Sequence, residues 1–223
     1  MPRPDGLIFD FDGVLLESEF ERNRELAALL TDLGHRHSVE ETLHHYTGLA
    51  GNDFLAAIER RIGTQLPPEF HDRLRDKSRR ALREGIMAVL GAVDFVQSLP
   101  AEMPRAVASS SSTKWIRGHL AHLGLTEAFG EHVYSGHEHV ERGKPEPDIY
   151  LHTARQIGVS IEHCAILEDS RVGVTGALAS GARVIGLAAG SHCLDGHDEM
   201  LRALGVREIA YSFDDVRRLL SLG

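Results

Sequence analysis

Two carboxylates separated by one residue, Asp10 and Asp12, end a short apolar run in Leu7-Ile-Phe-Asp-Phe-Asp-Gly-Val14. Close carboxylates repel each other and need a cation or a proton between them. A hard divalent metal with oxygen ligands suits such a pair. A polar turn after a strand would carry the same letters. A second acidic pair, Glu168-Asp169, follows the apolar run Ala165–Leu167 and precedes Ser170 and Gly173. It reads either as further negative charge at the same mouth or as a helix-capping acid.

Ser109 follows Arg105-Ala-Val-Ala108 and opens a run of four serines. A hydroxyl and successive backbone N–H groups at a strand end make an anion cradle. The same serines suit the N-cap of a helix beginning near Thr113, and both readings can hold together. Lys144 lies in Gly143-Lys-Pro-Glu-Pro-Asp148. Pro145 disfavours helical geometry at Lys144, and Pro147 suits the first turn of the next helix. Lys144 is therefore placed to act as a fixed charge on a stiff loop.

These residues need a scaffold that brings them together. Short apolar runs at Leu7–Asp10, Arg105–Ala108, Ala165–Glu168 and Val184–Leu187 read as buried strands, with a fifth near Glu208–Ala210. Helical patterns lie between most of them, and a last helix lies near Phe213–Leu222. The alternation predicts an α/β fold with a mostly parallel sheet covered by helices. In such sheets ligands bind beyond the carboxyl ends of the strands, where the acids, Ser109 and Lys144 fall.

The interval between the first two strands is far longer than one crossover needs. It reads as helices: one from about Glu19 to Leu33 ended by Gly34, and a second opened by the capping box Ser38-Val-Glu-Glu41. A third is capped by Asn52 and ended by Gly63, and a fourth is opened by Pro67-Pro68 and runs to about Glu84. An inserted helical cap over 17–88, on a core of 1–16 and 89–223, is the domain division expected. The basic stretch Arg73–Arg83 reads as a solvated helical face.

The 223 residues suffice for one large domain, or for a core with a smaller insert. A formal net charge of -9 argues against nucleic acid as a partner, though a local pocket can still take an anionic metabolite. No apolar run is long enough to span a bilayer, so no membrane partner is expected. No signal-peptide pattern precedes the first strand. Two cysteines, Cys164 and Cys193, are too few for a disulfide framework, and a cytoplasmic monomer is expected. The 14 histidines include Ser191-His-Cys-Leu-Asp-Gly-His197, a spacing that can bind transition metals, but none of the clusters holds four ligands at recognisable spacing.

Taken together, Asp10-Phe-Asp-Gly-Val-Leu-Leu-Glu-Ser-Glu19, Ser109, Gly143-Lys-Pro-Glu-Pro-Asp148 and Ile166-Leu-Glu-Asp-Ser-Arg-Val-Gly173 resemble the haloacid dehalogenase superfamily. The likeness is nearest to its helical-cap branch of beta-phosphoglucomutase-like proteins and sugar-phosphate phosphatases. It covers nearly the whole chain and implies a Rossmann-like core with an inserted cap.

The resemblance implies that Asp10 attacks phosphorus and that Asp12 serves as acid and then base. It implies Mg2+ held by Asp10, Asp169, the Asp12 carbonyl and Glu168, directly or through water. Ser109, the Ser110 amide and Lys144 would hold the phosphoryl oxygens. Asp12 occupies the place that the dehalogenases leave without an acid, which favours phosphoryl chemistry. Arg22 and Gly51 stand where the mutase has a histidine and an arginine, which favours hydrolysis over isomerisation; a phosphomutase and a non-catalytic binding protein are the alternatives. Ser135–Ser191 is similar to 6-phosphogluconate phosphatase-like members, implying small phosphorylated sugars or sugar acids as substrates. Arg22, Asn52, Lys77 and Arg80 are the cap residues expected to select among them.

Overall fold

The computed structural model describes residues 3–46 and 51–222, and the side chains of all of these except 51–53. Six parallel strands form one sheet: β1 (Gly6–Phe9), β2 (Arg105–Ser109), β3 (Val133–Ser135), β4 (Cys164–Glu168), β5 (Arg183–Leu187) and β6 (Glu208–Ala210). Their spatial order is β3-β2-β1-β4-β5-β6. The chain steps outward from β1 to β3, then returns to β4 on the other side of β1. The order therefore reverses between β1 and β4, whose register pairs Phe9 with Leu167. Both acidic pairs emerge beside this switch point, where open α/β sheets place their ligands.

Side chains alternate across the central strands, as a sheet covered on both faces requires. Leu7, Phe9, Val107, Ala165, Leu167 and Ile185 face α5 (Ala92–Ser98), α6 (Thr113–His122) and α11 (Phe213–Leu219). Ile8, Ala106, Ala108, Cys164, Ile166 and Val184 face α8 (Asp148–Gln156), α9 (Arg171–Ser180) and α10 (His197–Ala203). Phe9 anchors the first layer, edge-on to Phe129 at 5.7 Å. Phe129 ends α7 (Thr126–Phe129). Cys164 is buried within β4 and acts as a small core residue.

The insert between β1 and β2 carries α1 (Ser18–Asp32), α2 (Val39–Tyr46), α3 (Gly51–Ile62) and α4 (Phe70–Glu84). They enclose their own core of Leu26, Leu29, Leu30, Tyr46, Ile58 and Phe70. The Ser38 capping box forms reciprocally: the Ser38 amide donates to Glu41 Oε2 at 2.8 Å, and the Glu41 amide donates to Ser38 Oγ at 3.0 Å. Two expected starts differ. The described α3 already includes Asn52, so this residue is inside the helix rather than its cap. Pro67 and Pro68 form the turn before α4, with the Phe70 amide donating to the Pro67 carbonyl at 2.9 Å.

The two chain crossings into and out of the insert lie side by side. Leu16 bridges Ala88 in antiparallel fashion. The Glu17 amide donates to Met87 O at 2.9 Å, and the Val89 amide to Leu15 O at 3.1 Å. The basic run lies on α4, where Arg79 and Arg80 are exposed and paired along the helix with Asp76 and Glu84. Among the described residues, no helix is long and apolar enough to cross a membrane.

The third strand, Val133–Ser135, was not anticipated. It is a three-residue edge strand paired with β2 among the described residues, too short to give a run of its own, and all three residues are buried.

Candidate active site

Each acid is delivered by a strand that ends at the switch point. Asp10 follows β1, and its amide donates to the Leu167 carbonyl of β4 at 3.0 Å, extending the ladder by one residue. Glu168 is the last residue of β4, and Asp169 follows it. Asp10, Glu168 and Asp169 each present one carboxylate oxygen within 4.8 Å of the others, and all three are buried.

Lys144 enters this cluster from the loop before α8. Its Nζ donates to Asp10 Oδ1 at 2.6 Å and to Glu168 Oε1 at 2.7 Å, with its side chain only 4% exposed. Burial disfavours the ammonium, but Asp10 and Glu168 outweigh it and hold the Lys144 pKa well above its ordinary value. Burial pushes Asp10 well above the usual carboxylate range; Lys144 opposes this, while Glu168 and Asp169 add to it. Three buried acids thus face one ammonium, Lys144.

Glu168 is satisfied on both oxygens. Oε1 accepts from Lys144 and from Tyr150 Oη at 3.0 Å; Oε2 accepts from the Ser170 amide at 2.8 Å and Ser170 Oγ at 3.1 Å. This packing explains Gly173, where a Cβ would stand 1.5 Å from Glu168 Oε1. Asp169 is different. Its Oδ2 lies 2.7 Å from His192 Nε2, while its Oδ1 is buried without a hydrogen-bond partner. Burial raises Asp169 to about 6 despite His192, and Asp169 outweighs burial at His192, pushing the imidazole up to about 11. The two side chains form a buried, hydrogen-bonded pair. Gly13, at φ +84°, makes room for it: a Cβ there would meet Asp169 Oδ2 at 2.2 Å.

Asp12 points toward β2 and α6 and is half-buried. Oδ1 accepts from Ser18 Oγ at 2.6 Å and Trp115 Nε1 at 3.0 Å. Oδ2 accepts from Ser111 Oγ at 2.5 Å and Ser109 Oγ at 3.4 Å. Ser109 is buried at the end of β2 and its Oγ also receives the Ser111 amide at 3.0 Å. Ser110 is exposed beside it. Ser112 caps α6, accepting from the Trp115 amide at 3.3 Å, so the serine run serves both as cradle and as cap.

The structure therefore gathers Asp10, Asp12, Ser109, Lys144, Glu168 and Asp169 in one place. Among the described residues, no hydrogen bond or ion pair joins Arg22, Lys77 or Arg80 to this cluster. Arg22 is exposed and pairs with Glu19 on its own helix, and Arg80 is exposed and pairs with Glu84. Lys77 is half-buried, with its charge acting on Glu21. The Asn52 side chain lies outside the described residues. Sequence reading missed the residues that hold the acids: Ser18, Ser111 and Trp115 on Asp12, Tyr150 on Glu168, and His192 on Asp169. Ser18 and Ser111 lay in stretches the sequence singles out and His192 in the His-Cys-x-x-x-His spacing, whereas Trp115 and Tyr150 had no signal.

Glu17 ties the crossing into the insert to the loop after β5. Its carboxylate accepts from the Ser191 amide at 3.0 and 3.1 Å and from Ser191 Oγ at 3.0 Å.

A family model for haloacid dehalogenase-like hydrolases matches residues 4–181. The fructose-1-phosphate phosphatase YqaB of Escherichia coli K12 is 30% identical over 176 residues, spanning 79% of this chain and 92% of that protein. The 6-phosphogluconate phosphatase of the same organism is 24% identical over 193 residues, spanning 86% of each. A hydrolase from Deinococcus radiodurans R1, solved with bound phosphate and sodium, superposes with a TM-score of 0.88 at 31% identity, over 99% of this chain and 96% of that one. The family match spans both acidic pairs and Lys144, and the chain belongs to the haloacid dehalogenase-like hydrolases.

Proposed function

We propose that this protein is a magnesium-dependent phosphatase that hydrolyses a small phosphorylated sugar or sugar acid through a phosphorylated Asp10. One observation carries the reading. The Asp10 carboxylate is held at the sheet switch point by Lys144, inside a cluster of three buried acids.

The residues fit a hard divalent ion. Asp169 Oδ1 is buried and unpartnered, one Asp169 carboxylate oxygen lies within 4.8 Å of oxygens from Asp10 and Glu168, and an all-oxygen donor set selects magnesium over softer ions. Asp10, Asp169 and the Asp12 carbonyl would hold it. Glu168 already accepts from four donors, which suits contact through water. Magnesium, when bound, offsets negative charge on the carboxylates and the phosphoryl oxygens.

Asp10 attacks phosphorus as the P–O bond to the sugar oxygen breaks, and the phosphoryl group passes to the carboxylate. Asp12 donates a proton to the departing oxygen. It then takes a proton from the water that attacks the acyl phosphate, which releases phosphate and restores Asp10. Ser109, the Ser110 amide and Lys144 hold the phosphoryl oxygens during both transfers. The inserted helices over 17–88 would form a cap that closes over the mouth and excludes bulk water. Arg22, Asn52, Lys77 and Arg80 are its candidate substrate-selecting residues. A monomer in a reducing cytoplasm fits the two free cysteines.

Phosphate release from a panel of sugar phosphates, 6-phosphogluconate, phosphoglycolate and nucleotides tests this reading. Release should require magnesium, stop with chelator and vanish in Asp10→Asn, with sugar or sugar-acid phosphates ranking first. A folded, magnesium-loaded protein that releases phosphate from none of them would overturn it.

A further inference from the structure

The loop between β5 and α10 carries a second group of ligating side chains. His192 Nε2 lies 3.5 Å from Cys193 Sγ. One ring nitrogen of His192, one of His197 and Cys193 Sγ lie within 4.8 Å of one another. The two rings stand nearly perpendicular, with centroids 5.7 Å apart. We propose that His192, Cys193 and His197 form a binding site for zinc that draws in Asp169 as its fourth ligand, so that zinc and magnesium compete for the same carboxylate.

The donor types favour zinc. Nitrogen and sulfur together suit a borderline-soft divalent ion and suit magnesium poorly. Tetrahedral zinc, with Zn–S about 2.3 Å and Zn–N about 2.0–2.1 Å, sets neighbouring sulfur and nitrogen ligands about 3.5 Å apart. The Cys193–His192 separation already has this value.

The site is also built rather than accidental. His192 is buried, while Cys193 and His197 are half-buried, which leaves a path from solvent. Gly190 leaves space for the His192 ring, since a Cβ there would sit 2.6 Å from both Cε1 and Nδ1. His197 Nε2 is 2.8 Å from the Asp169 carbonyl oxygen, and Asp169 Oδ2 is 2.7 Å from His192 Nε2. Both rings are thus held against one residue, and that residue keeps a buried oxygen with no partner. The sequence shows three of the four ligands, because the fourth comes from the end of a different strand.

Zinc binding can be measured without turnover, so its test is separate from that of the phosphatase reading. Chelator-treated full-length protein would be titrated with zinc chloride by calorimetry, and with cobalt chloride by absorbance. One zinc per chain is expected, with a thiolate-to-cobalt charge-transfer band. Cys193→Ser should abolish the band, and Cys193→Ser and His197→Ala should each weaken zinc binding at least about tenfold, the loss that even residues merely supporting a metal ligand produce. Circular dichroism would confirm that both variants are folded. Saturating magnesium should weaken zinc binding in the wild type. No zinc uptake by the wild type, or equal uptake by both variants, would overturn the site. Zinc affinity indifferent to magnesium would overturn the sharing of Asp169. Given the phosphatase activity, zinc should inhibit it, and Cys193→Ser should be resistant.

Discussion

Trp115 Nε1 donates to Asp12 Oδ1 at 3.0 Å, joining the first turn of α6 to the carboxylate after β1 across 103 positions of chain. The indole is one of four donors that fix Asp12 beside Ser109. Trp115→Phe keeps the ring and removes the donor. Losing one hydrogen bond to a charged group corresponds to about 1.5–3 kcal/mol, and the other three donors should absorb part of it. A drop in kcat of about tenfold with little change in KM is expected from steady-state kinetics.

Lys144 is the ammonium that touches both Asp10 and Glu168, with almost no exposure of its own. Lys144→Met leaves buried acids facing one another. Breaking a buried pair this way costs about 3–5 kcal/mol. Chemical denaturation should show a loss of this size, and magnesium should recover part of it by supplying positive charge. Equal losses with and without magnesium would remove Lys144 and the ion from a common electrostatic role.

His119 is fully buried against Trp115, with ring centroids 4.2 Å apart, and neither ring nitrogen has a hydrogen-bond partner. Burial pulls its imidazole down from 6.5 to about 4. Above pH 6.5 the ring is neutral in folded and unfolded chains alike and contributes no pH dependence. As pH falls from 6.5 to about 4, the unfolded chain takes up a proton that the folded one refuses. Stability should therefore decline across that window, by at most about 3 kcal/mol. His119→Leu should flatten this part of the stability profile, measured by denaturant unfolding at a series of pH values.

Gly173 opens the first turn of α9 directly over Glu168. Gly173→Ala would place a methyl 1.5 Å from Oε1 and 2.0 Å from the carboxyl carbon. Glu168 has no room to retreat, because Lys144, Tyr150 and Ser170 hold it on both oxygens. A stability loss of about 3 kcal/mol and near-complete loss of turnover are expected together. Wild-type stability in this variant would mean that the strand end moves freely.

The strands that carry the acids were legible because each is an apolar run cut off by a carboxylate. Leu7–Phe9 and Ala165–Leu167 are buried on both faces, and this produces an uninterrupted apolar reading. Val133–Ser135 had no such signature, since an edge strand of three residues is paired on one side only. The contacts that hold the acids were illegible for a different reason. Trp115 reaches Asp12 only once α6 has packed on the sheet, and no local pattern encodes that meeting. His192 reaches Asp169 because Gly13 and Gly190 leave the space, so the signal lay in side chains that are missing.

The antiparallel bridge between Leu16 and Ala88 has a consequence for how such a protein can diversify. The chain leaves the sheet and comes back at neighbouring points, and the hydrogen bonds that close this gate belong to backbone, not to any particular side chain. Beyond those two ends, the insert reaches the site through Ser18 on Asp12 and Glu17 on Ser191. A short turn, another helical bundle or a small sheet would satisfy the same two ends. The inserted helices can thus change in length or packing while the two closed ends, and the carboxylates below them, stay as they are.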